Sequence, residues 1–236
     1  NDLRRNQGFA NGLYYDANDM NTDLETQKAD LLLAADQIRV GMAGNLASFL
    51  LRDRIDGTVV SGADVPYNDA PAGYTQDPQE VITYVCKHDN QTLFDNNAYK
   101  IPTGTSMDDR VRMQTLGLAF VMLGQGIPFV HMGAELLRSK SMQRDSYDSG
   151  DWFNVVDFTY QNNNWKVGLP REDKDGGNWP LIGQIFSDSS IAPTTTHIEA
   201  SKDEFLRLLR TRQSSILFRL RTAEQVKSRV MYHNTG

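Results

Sequence analysis

A polar pair at the end of an apolar run offers the chain's first chemistry. Val81-Ile82-Thr83-Tyr84-Val85-Cys86 stops at Lys87-His88-Asp89-Asn90. A carboxylate beside an imidazole can accept from hydroxyls, donate from a ring nitrogen and exchange protons near neutral pH. His88 and Asp89 are therefore the first candidates for binding or catalysis. The competing reading makes them a helix N-cap after a strand. A second group lies in 133–184, where Asp145, Tyr147, Asp148, Asp151 and Trp152 set carboxylates beside aromatics. Aromatic faces stack on the apolar CH faces of sugar rings while polar groups bond the hydroxyls. A loop that pins itself down with its own aromatics has the same composition. A metal-dependent phosphohydrolase built on His88-Asp89 would need further ligands at helical spacing. His131, His197 and His233 read as strand, loop and strand, and do not supply them.

The elements that must hold these residues follow from pattern. The β-branched and aromatic run 81–86 predicts a strand buried on both faces, as in a parallel sheet. Ser106-x-x-Asp109 predicts a helix start, and the helix should run to about Gly124 with 116–123 deeply buried. Ile127 to Met132 predicts a second strand. Strand, helix, strand makes a right-handed βαβ unit. In a (β/α)8 barrel, polar residues past a strand's C-terminal end lie on the catalytic face. Upstream, Thr22-x-x-Glu25 reads as a capping box for a helix with Leu24, Leu31, Leu32, Ala35 and Ile38 on one stripe, broken by Gly41 and Gly44. Residues 52–79 read as a long surface loop. Ser201-x-x-Glu204 should open a last helix with Phe205, Leu208 and Leu209 inward, and Val226 to Tyr232 should begin a strand of another domain.

With 236 residues, 39% hydrophobic and 23% charged, the chain suits one soluble domain with a proper core. A formal charge of −6 gives no basic footprint for nucleic acid or an anionic membrane, and fits a neutral substrate. Cys86, the one cysteine, can form no internal disulfide. No apolar run approaches the roughly 20 residues of a membrane span. Both ends, Asn1-Asp2-Leu3 and Asn234-Thr235-Gly236, read as cuts in a longer polypeptide.

The run Tyr84 to Asp95 resembles the fourth conserved region of α-amylase-family glycoside hydrolases, more narrowly that of pullulanases and limit dextrinases. Glu135-Leu136-Leu137-Arg138-Ser139-Lys140-Ser141 and Arg144 to Asn154 are more specific to that subgroup. Asn163-Asn164-Trp165-x-Val167-Gly168-Leu169-Pro170 and His233-Asn234-Thr235-Gly236 agree. The His-Asp pair alone is a weak motif; the four segments in order are a strong one. The resemblance implies retaining hydrolysis of α-1,6-glucosidic links in pullulan, limit dextrins and other branched α-glucans. It implies an α/β fold: the C-terminal portion of a (β/α)8 TIM barrel, about strands seven and eight with their helices, over residues 1–222. Residues 223–236 would begin a C-terminal all-β domain. Asp89 matches the family's third carboxylate, which helps distort the ring being cleaved, and His88 a histidine on the same ring. Asp145 and Arg138 match a segment lining the next subsite, and Tyr147 is expected to stack or to contact a hydroxyl; Arg138 reads equally as a structural partner for Asp145 or Glu135. No cofactor is required; calcium occurs in some full-length relatives, but no loop here has convincing ligand spacing.

Departures matter as much. The family's nucleophile segment, Gly-x-Arg-x-Asp, and its acid/base segment have no match; Arg54-Ile55-Asp56 is a decoy. Two barrel strands cannot close a barrel, so the rest of it, in the same or another chain, is an expected partner. The alternative is a non-catalytic α-glucan-binding fragment.

Overall fold

The computed structural model describes residues 3–233. Asn234, Thr235 and Gly236 of the last motif lie outside them. Among the described residues the helices are α1 (Leu24–Met42), α2 (Leu93–Lys100), α3 (Met107–Leu123), α4 (Glu172–Asp175), α5 (Trp179–Ser187), α6 (Thr195–Ser214) and α7 (Ala223–Arg229). The strands are short: β1 (Leu50–Arg52), β2 (Val59–Ser61), β3 (Pro66–Tyr67), β4 (Ala70–Pro71), β5 (Ile82–Thr83) and β6 (Ile127–Pro128). The chain divides into one unit of Asn1–Met20, Val85–Leu118 and Val130–Leu206, and another of Asn21–Tyr84, Ala119–Phe129 and Arg207–Gly236.

In the second of these units, Val40, Leu46, Phe49, Leu51, Ala223 and Val226 share one core. β1 and β2 pair antiparallel, with Leu51 opposite Val60. Their connection holds the decoy motif. Asp53 Oδ1 accepts from the Ile55, Asp56 and Gly57 N–H groups, and Asp56 accepts from Thr58 N. Asp56 thus organises a turn. α1 starts one residue later than expected: the Asp23 carboxylate, not a Thr22 box, accepts from Thr26 N. Its expected leucine stripe also fails at Leu24, which is exposed, while Gln27, Asp36 and Val40 are buried. Asp36 escapes the apolar pattern because it accepts the Arg54 N–H and pairs with Arg39. Where a strand was expected over 226–232, helix α7 takes in Val226 to Arg229 and no strand follows over 230–232. The Thr222 side chain caps it by accepting from Gln225 N, and Ala223 and Val226, three apart, turn one face into the core.

β5 and β6 pair in parallel, Ile82 opposite Ile127, as the strand-helix-strand order requires. Neither strand reaches its expected length or burial: Ile82, Tyr84, Ile127 and Phe129 are all exposed. A parallel pair is buried on both faces only where further strands and helices cover it. Within the described residues the pair has only itself, and Tyr84 meets Phe129 edge to face at 6.4 Å.

In the unit that carries the candidate site, the expected start of α3 is present. Ser106 Oγ accepts from Asp109 N at 3.2 Å and donates to Asp109 Oδ2 at 2.8 Å. Its apolar half is not uniformly buried: Leu118, Val121 and Met122 are, Leu116 is not. α6 begins six residues before Ser201, which is fully buried inside it, and Leu209 is exposed where an inward position was expected. Trp165 joins two core clusters, edge-on to Phe94 at 5.3 Å and to Phe186 at 5.0 Å. Trp179 Nε1 donates to Pro170 O at 2.8 Å. The long polar segment therefore does pin itself down with its own aromatics, and in doing so fixes the loops of the site.

Candidate active-site cleft

The turn after β5 ends in Asn90, whose φ of 62° is in the left-handed region that asparagine tolerates better than most residues. Thr92 then accepts from Asp95 N and starts α2. The competing cap reading therefore fails for His88 and Asp89: Thr92 does the capping, and the pair is left to solvent. The His88 side chain is 81% exposed and that of Asp89 57%. His88 Nε2 lies 3.5 Å from Asp89 Oδ1, and Lys87 Nζ bonds Asp89 Oδ2. The Lys87 hydrogen bond holds the Asp89 carboxyl below its ordinary range, with His88 and Lys140 adding to it. Asp89 is therefore an ionised acceptor at neutral pH.

Facing the same space is the segment around Asp145. An open cleft of about 480 Å³ is lined by Lys87, Asp89, Asn90, Arg144, Asp145, Asp173 and Lys174. Lys174 Nζ sits 3.6 Å from both Asp145 Oδ2 and Asp148 Oδ1, and 5.0 Å from the centre of the Tyr147 ring. Tyr147 is 81% exposed, with that cation on its ring. Arg171 pairs with Asp148 at 3.3 Å and Asp173 at 2.7 Å. Arg144 Nε donates to Asn90 Oδ1 at 3.1 Å, across the cleft's two sides. The lining's three cations and three carboxylates cancel, which suits a neutral, hydroxyl-rich ligand better than a polyanion.

Of the sequence-derived candidates, Asp89 and Asp145 come together in this cleft. His88 and Tyr147 stand exposed beside it. Arg138 lies elsewhere: it is buried, donating to Met132 O at 2.9 Å and Asn154 O at 3.0 Å, with Nη1 3.2 Å from His131 Nε2. Neither of the acidic partners considered for it, Asp145 or Glu135, is its contact. Burial first, and then the Arg138 charge, push the His131 imidazole down to about 4, so it is neutral and can accept from Arg138. Sequence reasoning missed Lys174, Arg144 and Asp173. Arg144 adjoins Asp145, whereas Asp173 and Lys174 belong to the separate charged run Glu172–Asp175, and no periodicity marks either. Among the described residues no cluster of three or more His, Cys, Asp or Glu side chains is placed to hold a metal ion.

Beneath the cleft lies Asp95, fully buried. Its Oδ1 accepts from Ser139 Oγ at 2.5 Å and its Oδ2 from Lys140 N at 2.7 Å, with Thr92 and the Met142 N–H also bonded. Burial raises its carboxyl to about 6, against the lowering effect of those donors.

Residues 160–236 match the model of the C-terminal part of pullulanase-type alpha-1,6-glucosidases. The chain is 48% identical to the pullulanase of Klebsiella aerogenes over 99% of this chain and 21% of that protein. It is also 48% identical to the chloroplastic pullulanase 1 of Arabidopsis thaliana, over 98% of this chain and 24% of the relative. The crystal structure of Klebsiella pneumoniae pullulanase complexed with maltotriose superposes with a TM-score of 0.93 at 48% identity, covering 99% of this chain and 22% of that one. This chain thus spans about a fifth to a quarter of the length of the relatives it matches. Likeness that covers nearly every residue, in sequence and in fold together, places the chain in the pullulanase family.

Proposed function

We propose that this chain supplies one side of the active site of a retaining α-1,6-glucosidase acting on pullulan, limit dextrins and other branched α-glucans. The observation that carries the reading is the shared cleft: an ionised, exposed Asp89 lines the same charge-balanced space as Asp145. Asp89 accepts from hydroxyls of the ring being cleaved, and His88 can donate to that ring from one nitrogen. Hydrogen bonds that tighten as the ring flattens toward an oxocarbenium-like state lower the barrier by several kcal/mol, as an order of magnitude. Asp145 bonds the neighbouring sugar. Tyr147 offers it an aromatic face, with Lys174 on the ring. Arg138, buried under 131–154, serves this subsite by holding its loop.

Retention needs a nucleophile and a general acid about 5 Å apart. No residue here is assigned to either role; both belong to the preceding part of the enzyme. The same reading takes β5 and β6 as the seventh and eighth strands of a (β/α)8 barrel, whose remaining strands would cover the exposed Ile82, Tyr84, Ile127 and Phe129. The chain's last residues would lead into the C-terminal all-β domain.

The test is pullulan hydrolysis by the full-length polypeptide, read as new reducing ends, with Asp89→Asn as the variant. Turnover in the parent that falls about 100-fold to 1,000-fold in the variant, with maltotriose still bound, is expected. Near-normal turnover in the variant would remove Asp89 from the catalytic set. Maltotriose binding with no turnover in the parent would leave a glucan-binding protein instead.

A further inference from the structure

Lys140 is 1% exposed, a rare state for a lysine, and among the described residues its ammonium bonds backbone carbonyls rather than a carboxylate. Its Nζ donates to two backbone carbonyls, His88 O at 3.1 Å and Arg144 O at 3.2 Å. Each carbonyl belongs to the residue just before a cleft carboxylate: His88 precedes Asp89, and Arg144 precedes Asp145. These two segments are more than fifty residues apart in the chain, and Lys140 reaches both from below. The charged groups that face it from the surrounding segments are Asp95, Arg138, Asp145 and Asp89.

The lysine itself is held by what lies under it. Its own N–H goes to Asp95, and the preceding Ser139 hydroxyl goes to the same carboxylate. Leu137, Ser141 and Met142 around it have φ values of 56°, 52° and 65°. Left-handed backbone at such side chains costs about 1–3 kcal/mol per residue and persists only where its surroundings over-determine it. Here the surroundings are Asp95, the Asn163 side chain on Leu137 O, and Ser141 Oγ on Gly168 O. A floor that is strained and heavily bonded is a poor choice for mere stability. It does fix one ammonium at one place.

We infer that Lys140 is a positioning residue: a buried cation that clamps the Asp89 turn to the Asp145 loop and so sets the spacing of the ring-distorting carboxylate and its neighbouring subsite. This rests on the reading of Asp89 and Asp145 as glucan-facing groups. A residue that joins the two should affect transition-state stabilisation and ground-state binding together. Removing Asp89 alone should lower kcat, and removing Asp145 alone should raise KM.

The experiment uses the full-length enzyme with Lys140→Met, which fills the slot without donors. Amide hydrogen exchange should quicken about tenfold or more in 87–90 and in 144–148, while the 107–123 helix keeps its protection. kcat should fall and KM rise in the same variant, with kcat/KM lower by about 10-fold to 100-fold, the scale of one charged hydrogen bond. In a double-mutant cycle, Asp145→Ala should cost less on the Lys140→Met background than alone. If Lys140→Met does not yield folded protein, Lys140→Leu, which likewise lacks donors, is read the same way. Faster exchange in one segment only, a uniform rise that includes 107–123, or strict additivity would each overturn the clamp. If the parent enzyme does not hydrolyse pullulan, the functional reading fails, and the exchange data still decide the clamp.

Discussion

Asp89 and Asp95 stand on either side of Thr92, on one short stretch of chain, and their surroundings treat them in opposite ways. Asp89 is left to solvent beside Lys87, and its carboxyl is held below the ordinary range. Asp95 is sealed from solvent beneath the cleft, and burial drives its carboxyl up to about 6. The first has unused acceptor capacity for a ligand. The second has spent its capacity on Ser139, Lys140, Thr92 and Met142. A site needs both kinds. Exposed groups do chemistry only if something beneath them is fixed, and fixing loops without a sheet under them takes buried polar bonds.

The sharpest way to break the comparison is to exchange the costs. Asp89→Asn, expected to damage turnover, should leave the unfolding midpoint of the full-length enzyme unchanged. Asp95→Ala should do the reverse in stability, losing about 3–5 kcal/mol, because Ser139 Oγ and the Lys140 N–H are left buried without their acceptor. Chemical denaturation of the full-length enzyme reads both. A stability loss of under about 1 kcal/mol for Asp95→Ala would mean that the floor is not what fixes the loops.

Asp95 also gives the comparison a pH axis. Its folded carboxyl lies near 6 against about 3.8 unfolded. Between those values the folded state keeps a proton that the unfolded state has lost. The contribution is therefore present below about pH 4 and is lost as pH rises through 6, at most about 3 kcal/mol in all. Asp95→Asn should flatten that slope between pH 4 and 6, as denaturant midpoints taken across this range would reveal. An unchanged slope would place its origin elsewhere.

Sequence alone could point to Asp89, which lines the cleft, but not to the buried Asp95. The end of an apolar run marks a loop, and the quoted motifs match the pullulanase group in order. Nothing local marks Lys140 as buried or pairs Arg138 with His131, because both depend on contacts made through irregular backbone. The same limit explains the errors in the elements. Leu24 follows an apolar pattern and is exposed, whereas Asp36 breaks that pattern and is buried because Arg39 and the Arg54 N–H receive it. The run from Val226 reads as strand by residue type, yet Thr222 starts a helix there. Patterns read burial along one element; they do not read which neighbour pays for an exception.

A smaller effect should appear on the exposed side. Tyr147→Ala removes a ring that is open on one side and carries Lys174 on the other. Maltotriose affinity in the full-length enzyme should fall about threefold to tenfold, the range of one aromatic contact, with no change in unfolding. Unaltered affinity by calorimetry would take Tyr147 out of the subsite.

The smallest effect concerns Lys87, and its direction matters more than its size. Lys87 is the largest cause of the low Asp89 carboxyl. If the working form of Asp89 is the anion, activity is lost as pH falls through that carboxyl's pKa. Lys87→Ala takes away the hydrogen bond and the charge, so the carboxyl returns toward the ordinary range and the acid limb of kcat/KM moves to higher pH. The plateau above neutrality should hardly change, since Asp89 is ionised there either way. The ion pair lies in solvent, so unfolding should not respond, and added salt should shrink the difference between parent and variant on the acid limb. An acid limb that stays in place would mean that some other group sets it. A limb that moves to lower pH would contradict the sign of the Lys87 effect, and with it the contrast between a carboxylate tuned by a neighbouring cation and one tuned by burial.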